Sequence, residues 1–74
     1  MILKKETKLF ESQLGAKGFI YPKDSFIVLE KNVKAEEVNI FCPTDVNMAA
    51  VLISTQEDAP RRLFWIDKRK LANT

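Results

Sequence analysis

Residues 26–29, Phe26-Ile27-Val28-Leu29, are four apolar side chains in a row, two of them β-branched. They are fenced by Pro22-Lys23-Asp24-Ser25 on one side and Asn32 on the other. A short apolar run between turn-forming residues reads as a strand buried on much of both faces. Side chains alternate along a strand, so Ile27 and Leu29 face one way and Phe26 and Val28 the other. This run is expected in the middle of a sheet, with the rest of the chain supplying cover for both sides.

The remaining elements come from the same patterning. In residues 2–14 the pairs Ile2/Leu9, Leu3/Phe10 and Phe10/Leu14 suit one stripe of a helix. An edge strand over Ile2–Phe10, with lysines guarding its open side, fits the same residues. The β character of the chain beyond residue 18 favours the strand. Gly15-Ala16-Lys17-Gly18 reads as a turn, since glycine tolerates positive φ. Phe19-Ile20-Tyr21 is a short run that Pro22 stops, and Val33–Glu37 is polar and reads as a loop.

Val38, Ile40 and Cys42 alternate with Asn39 as in a half-buried strand that Pro43 ends. Thr44-Asp45 can cap one helical turn through Met48. A helix from Thr44 to Ile53 fits the same residues, but β-branched Val51 and Ile53 favour a strand over Ala50–Thr55. Gln56–Pro60 reads as a turn, leading into a strand Arg62–Ile66 hairpinned to Ala50–Thr55. Asp67 caps a short helical turn over Lys68–Leu71.

The chain has 74 residues, enough for one domain close to the lower limit for independent folding. A 46% apolar content argues against disorder. So small a core has little stability to spare, because apolar burial is nearly cancelled by chain entropy. A single cysteine forms no internal bridge, and without histidine the usual zinc ligand sets cannot be assembled. Good packing or self-association must therefore carry the fold.

Five short strands with tight connections are too few for two full sheets. A small, strongly bent five-stranded barrel is the economical arrangement, because closing a sheet removes its edges. The alternative is an α+β fold with an N-terminal helix on a small antiparallel sheet.

Two pieces of the chain resemble the SH3-like small barrels, the bacterial SH3 type in particular. Gly18-Phe19-Ile20-Tyr21-Pro22-Lys23-Asp24-Ser25-Phe26-Ile27-Val28-Leu29-Glu30-Lys31-Asn32 is similar to that family's short strand, diverging turn and following strand. Trp65-Ile66-Asp67-Lys68-Arg69-Lys70-Leu71 is similar to its closing strand and 3₁₀ turn. Asp24 and Phe64 stand where the family usually has glycine, and the interval Val33–Ala50 is longer than its usual hairpin. The resemblance implies a fold and a habit of binding, and names no ligand.

The absence of histidine removes ordinary serine or cysteine triads and any imidazole acid or base. Cys42 reads as a buried structural thiol, since a nucleophile needs exposure and a cationic neighbour. Glu36-Glu37 and Glu57-Asp58 read as solvated loop carboxylates. The Gly15–Gly18 segment is too short to cradle a phosphate. No catalytic residue, cofactor or metal is expected, and the chain reads as no enzyme.

The charge is polarised along the chain. Lys4, Lys5, Lys8 and Lys17 against Glu6 and Glu11 give residues 1–20 a net +2. Residues 21–60 hold Lys23, Lys31 and Lys34 against Asp24, Glu30, Glu36, Glu37, Asp45, Glu57 and Asp58, a net −4. Residues 61–74 hold Arg61, Arg62, Lys68, Arg69 and Lys70 against Asp67, a net +4. Separate patches of opposite sign orient protein partners, and Phe19, Tyr21, Phe41 or Phe64 could anchor one if exposed.

The sharpest candidate binding segment is Arg61, Arg62, Phe64, Trp65, Lys68, Arg69 and Lys70. An outward aromatic beside those cations would stack bases while the cations pair phosphates. The bland reading is a core tryptophan flanked by solvated cations. The expected function is a non-enzymatic protein-interaction or regulatory module; the alternative is nucleic-acid binding by the basic C-terminal segment. No run approaches the roughly 20 apolar residues of a membrane span. Charge at Lys4-Lys5 argues against a secretory leader, and a lone cysteine suits a cytoplasmic setting. Self-association is left open.

Overall fold

A computed structural model describes residues 1–16, 18–22, 24–54 and 58–71. Among them eight strands are formed: β1 (Ile2–Leu3), β2 (Lys8–Glu11), β3 (Gln13–Gly15), β4 (Gly18–Ile20), β5 (Phe26–Val28), β6 (Val33–Val38), β7 (Met48–Ile53) and β8 (Arg62–Asp67). One short helix, α1 (Lys68–Leu71), comes directly after β8. The mainly-β architecture with a C-terminal helical turn is as expected, built from more and shorter strands than the five foreseen. The N-terminal residues settle as strands β1, β2 and β3. The helical alternative there is not formed.

Six strands make one antiparallel sheet in the order β1-β6-β7-β8-β2-β5, and β3 and β4 form a separate hairpin. The connections dictate curvature. Only Lys4–Thr7 join β1 to β2, and only Leu29–Asn32 join β5 to β6, yet each connection crosses four strand spacings of the order. On a flat sheet that is about 19 Å, whereas five peptide steps reach at most about 18 Å. The sheet therefore has to curl until its ends approach, giving a half-barrel.

The two connectors also hold each other. Glu6 N donates to Leu29 O at 2.8 Å and Lys5 N to Asn32 Oδ1 at 2.7 Å. Glu6 takes the left-handed region (φ 73°) to make this bend. The Gly15–Gly18 turn is a hairpin end as expected, with Gly18 at φ 125°, where a side chain would be strained. Lys17 lies outside the described residues.

Two clusters bury the apolar side chains. Leu3, Leu9, Leu29, Val33, Ala35, Val51, Ile53, Phe64 and Ile66 fill the inside of the curl. Trp65, Cys42, Met48 and Ala50 form the second, packed with Phe10, Tyr21, Val38, Ile40 and Leu63. Consecutive residues Phe64 and Trp65 belong to different clusters, so the β7–β8 hairpin is covered on both faces. Its register runs from Met48↔Asp67 to Ile53↔Arg62. The indole N–H of Trp65 finds no acceptor among the described residues, so packing holds the ring.

Several expectations are corrected. The run at 26–29 is not central: β5 is three residues long, ends the sheet order and pairs only with β2. Ile27 and Leu29 do turn inward, but Phe26 and Val28 are 46% and 51% exposed. Its cover exists on one face only. Residues 33–37 are no loop; Val33 and Ala35 alternate inward in β6, with Lys34 and Glu36 outward.

The strand expected over 38–42 stops at Val38. Beyond it Val38, Ile40 and Cys42 still share a side, the one covering Trp65. No helical turn spans 44–48. Asp45 Oδ1 instead accepts from Asn47 N at 2.9 Å, closing a turn. The long Val33–Ala50 interval thus provides one strand and then a lid over the second cluster. The 54–61 connection agrees with a turn at Asp58–Ala59, where Ser54 Oγ donates to Ala59 O at 2.7 Å. Gln56 and Glu57 of that expected turn lie outside the described residues.

Candidate interaction surface

The basic C-terminal segment divides into buried and exposed members according to strand parity and the two-sided cover of β8. Trp65 and Phe64 are each 0% exposed. Neither aromatic can stack on an incoming base, so that half of the candidate site is corrected: the flanking cations have no outward ring between them. Arg62 lies with its guanidinium 5.2 Å from the centre of the Phe64 ring, covering it from outside.

The cations are also partly neutralised. Arg61 Nη1 meets Glu36 Oε2 at 2.6 Å, and Arg62 Nη2 meets Glu11 Oε1 at 2.8 Å. Arg69 Nη2 meets Asp67 Oδ2 at 2.8 Å. All three pairs are exposed, where such contacts orient side chains more than they stabilise. Lys68 and Lys70 lie within salt-bridge distance of no described carboxylate. The 61–70 segment therefore offers a mixed surface rather than a uniform cationic one.

Asp67 links that surface to α1. Its Oδ1 accepts from Arg69 N at 2.9 Å and from Arg69 Nε at 3.1 Å. These bonds, the side-chain one foremost, hold its carboxyl down to about pKa 2. The capping role expected for Asp67 is met.

Beside α1 runs a groove of about 410 Å³ between residues 37–41 and the start of β7. It opens where β6 leaves the sheet after the pair Val38↔Ala50. Ile40, Met48 and Ala49 line it, with Glu37 and Lys68 also on its wall.

Of the four aromatic anchors, Phe64 is core and Tyr21 is half-buried in the second cluster, whereas Phe19 and Phe41 are exposed. Tyr21 Oη donates to Asp45 Oδ2 at 2.7 Å. That bond, with burial and the Asp45 charge, pushes the phenol up to about pKa 12. It ties the residue after β4 to the lid over Trp65.

A second strip was not foreseen. Phe10 packs against Tyr21 (5.0 Å between ring centres) and edge-on to Phe26 (6.1 Å). The Lys8 ammonium sits 4.1 Å from the centre of Phe26 and 5.1 Å from that of Phe10. The alternation of residues 26–29 already assigned Phe26 and Val28 to one side. Nothing in the sequence said that this side would lack cover.

Among the described residues no three side chains of the His, Cys, Asp or Glu type gather as a metal site, and no helix is long and apolar enough to cross a membrane. No protein family matches the chain, and neither the curated proteins nor the solved structures contain a match to it.

Proposed function

We propose that this chain is a cytoplasmic protein-interaction or regulatory module, without enzymatic activity, that docks another protein through its charge-polarised surface. The observation that carries this reading is the mixture on that surface. The surface carries both exposed apolar side chains, such as Phe26, Val28 and Phe41, and three cations paired to carboxylates, Arg61, Arg62 and Arg69. Apolar anchors supply contact area, and paired charges of both signs supply orientation. The curled antiparallel sheet and the helical turn after Trp65 support an SH3-like module as its architecture.

Nucleic-acid binding, the alternative, would have to work through Lys68, Arg69, Lys70, Arg61 and Arg62 without the aromatic rings of their own segment, Phe64 and Trp65 being buried. Its affinity would then rest mainly on the cations and would fall steeply with salt.

Affinity capture from the source cell tests the main reading. A stoichiometric protein partner is expected, weakened when Lys68, Arg69 and Lys70 are reversed to glutamate. Repeated absence of such a partner, together with salt-sensitive retention of DNA or RNA that R61A/R62A reduces, would replace it with the alternative.

A further inference from the structure

We infer that the outer edge of β5 receives a strand from a partner protein, and that the strand it accepts carries two apolar residues between two basic ones. This deepens the protein-interaction reading and rests on it.

The backbone supplies the first half of the argument. Leu29 N donates to Thr7 O at 3.0 Å, and Glu11 N donates to Ser25 O at 2.9 Å. The Ser25 carbonyl and the Leu29 N–H therefore turn toward β2, and Ile27, opposite Leu9, falls in the same set. In an antiparallel ladder the intervening residues point theirs the other way. Phe26 and Val28 thus aim N–H and C=O groups at an edge where no described strand pairs. The same two residues carry the exposed apolar side chains. Edges of this kind are ordinarily guarded by lysine, proline or a bulge, and Phe26–Val28 contains none of these.

Charge supplies the second half. Asp24, in the turn closed by Ser25 N donating to Pro22 O, and Glu30, in the bend after β5, flank the strip at either end and are exposed. Neither forms an ion pair with a described residue. Between them the Lys8 ammonium rests over the Phe26 ring. Along the edge the order is carboxylate, aromatic ring under an ammonium, valine, carboxylate. An incoming strand matches when two apolar residues, one position apart, lie opposite Phe26 and Val28 and a cation follows beyond each of them. A cation opposite Phe26 would meet Lys8, which fixes the register.

A second copy of this chain matches poorly. Pairing two β5 strands about Ile27 sets Asp24 against Glu30 of the second copy. Pairing about Phe26 sets Val28 against Asp24 of the second copy, and pairing about Val28 sets Phe26 against its Glu30. Each register opposes like charges or places a carboxylate on an apolar side chain.

The test uses the full chain and two blocked heptapeptides. One alternates threonine with lysine, valine, valine and lysine in that order; the other has glutamate for each lysine. The lysine peptide is expected to bind, with the largest amide shifts and slowed exchange at Phe26 and Val28, and the glutamate peptide to bind about tenfold more weakly or worse. Val28→Pro removes an outward donor at an edge position that tolerates proline, and should weaken lysine-peptide binding about tenfold or more. The double change D24K/E30K, at exposed positions, should reverse the preference, and it decides the matter alone if Val28→Pro does not fold.

Binding of neither peptide, shifts centred away from β5, or unchanged preference in D24K/E30K would each overturn the inference. So would self-association in sedimentation equilibrium that Val28→Pro abolishes, since the occupant would then be a second copy. Failure of the peptides leaves the capture experiment to judge the broader reading separately.

Discussion

β5 and the β7–β8 hairpin start from similar sequence, apolar runs rich in β-branched or aromatic residues between turn signals, yet β5 ends at the edge of the sheet and the hairpin at its centre. β8 has a strand on each side and a cluster on each face. β5 has one neighbour and cover on one face. The difference lies in what the flanking segments can deliver. β7 and β8 are each six residues long and joined as a hairpin, so they cover one another by local pairing. The lid of residues 39–45 then closes the second face of β8. β5 is stopped after three residues by the short connector that must return the chain to β6. An apolar run states a preference for burial; whether both faces are met depends on distant chain.

The largest effect should separate the two regions outright. Trp65→Ala empties the second cluster and should cost about 3–5 kcal/mol. That is most of the stability expected of so small a domain. Phe26→Ala, at a half-exposed edge position, should cost less than about 1 kcal/mol. Urea unfolding followed by circular dichroism measures both. If the two variants lost equal stability, β5 would be as central as its sequence first suggests, and the edge description would fail.

This contrast marks how much of the fold is legible in the sequence. The paired strands β7 and β8, the glycine hairpin and the Asp67 cap come from local rules, namely β-branching, positive φ and side-chain acceptance at a helix start. Residues 33–37 look like a loop because Lys34, Glu36 and Glu37 hide two inward positions, Val33 and Ala35, whose burial depends on β7 and β1. The candidate site was legible in its charge but not in its geometry. Phe64 and Trp65 are adjacent, and parity alone requires one of them to face away from the first cluster. Only the lid, contributed from more than twenty residues earlier, decides that the outward one is also covered.

The lid itself is open to test through Tyr21. Tyr21→Phe deletes the bond to Asp45 and should lower stability by about 1 kcal/mol at neutral pH. The phenol titrates near 10 in the unfolded chain and near 12 in the folded one. A folded-state pKa raised in this way contributes stability that is fully present below pH 10 and is lost as pH rises through 12. The urea midpoint of the native protein should therefore fall between pH 10 and 12 more than that of Tyr21→Phe. Parallel declines would mean that the lid is held by packing alone.

The smallest effect belongs to α1, a single helical turn that adds no fully buried residue. Asp67 accepts from Arg69 and is held at about pKa 2, below its ordinary value. Its contribution is present above the ordinary carboxylate range and disappears as pH falls through 2, the opposite sense to Tyr21. The carboxylate is open to solvent, so screening should keep the effect local. Asp67→Asn should raise amide exchange at Lys68–Leu71 and remove its acid dependence while leaving the urea midpoint nearly unchanged. A midpoint shift comparable to that of Tyr21→Phe would show that α1 braces the β7–β8 end of the sheet, and the division between a covered centre and lightly held margins would have to be redrawn there.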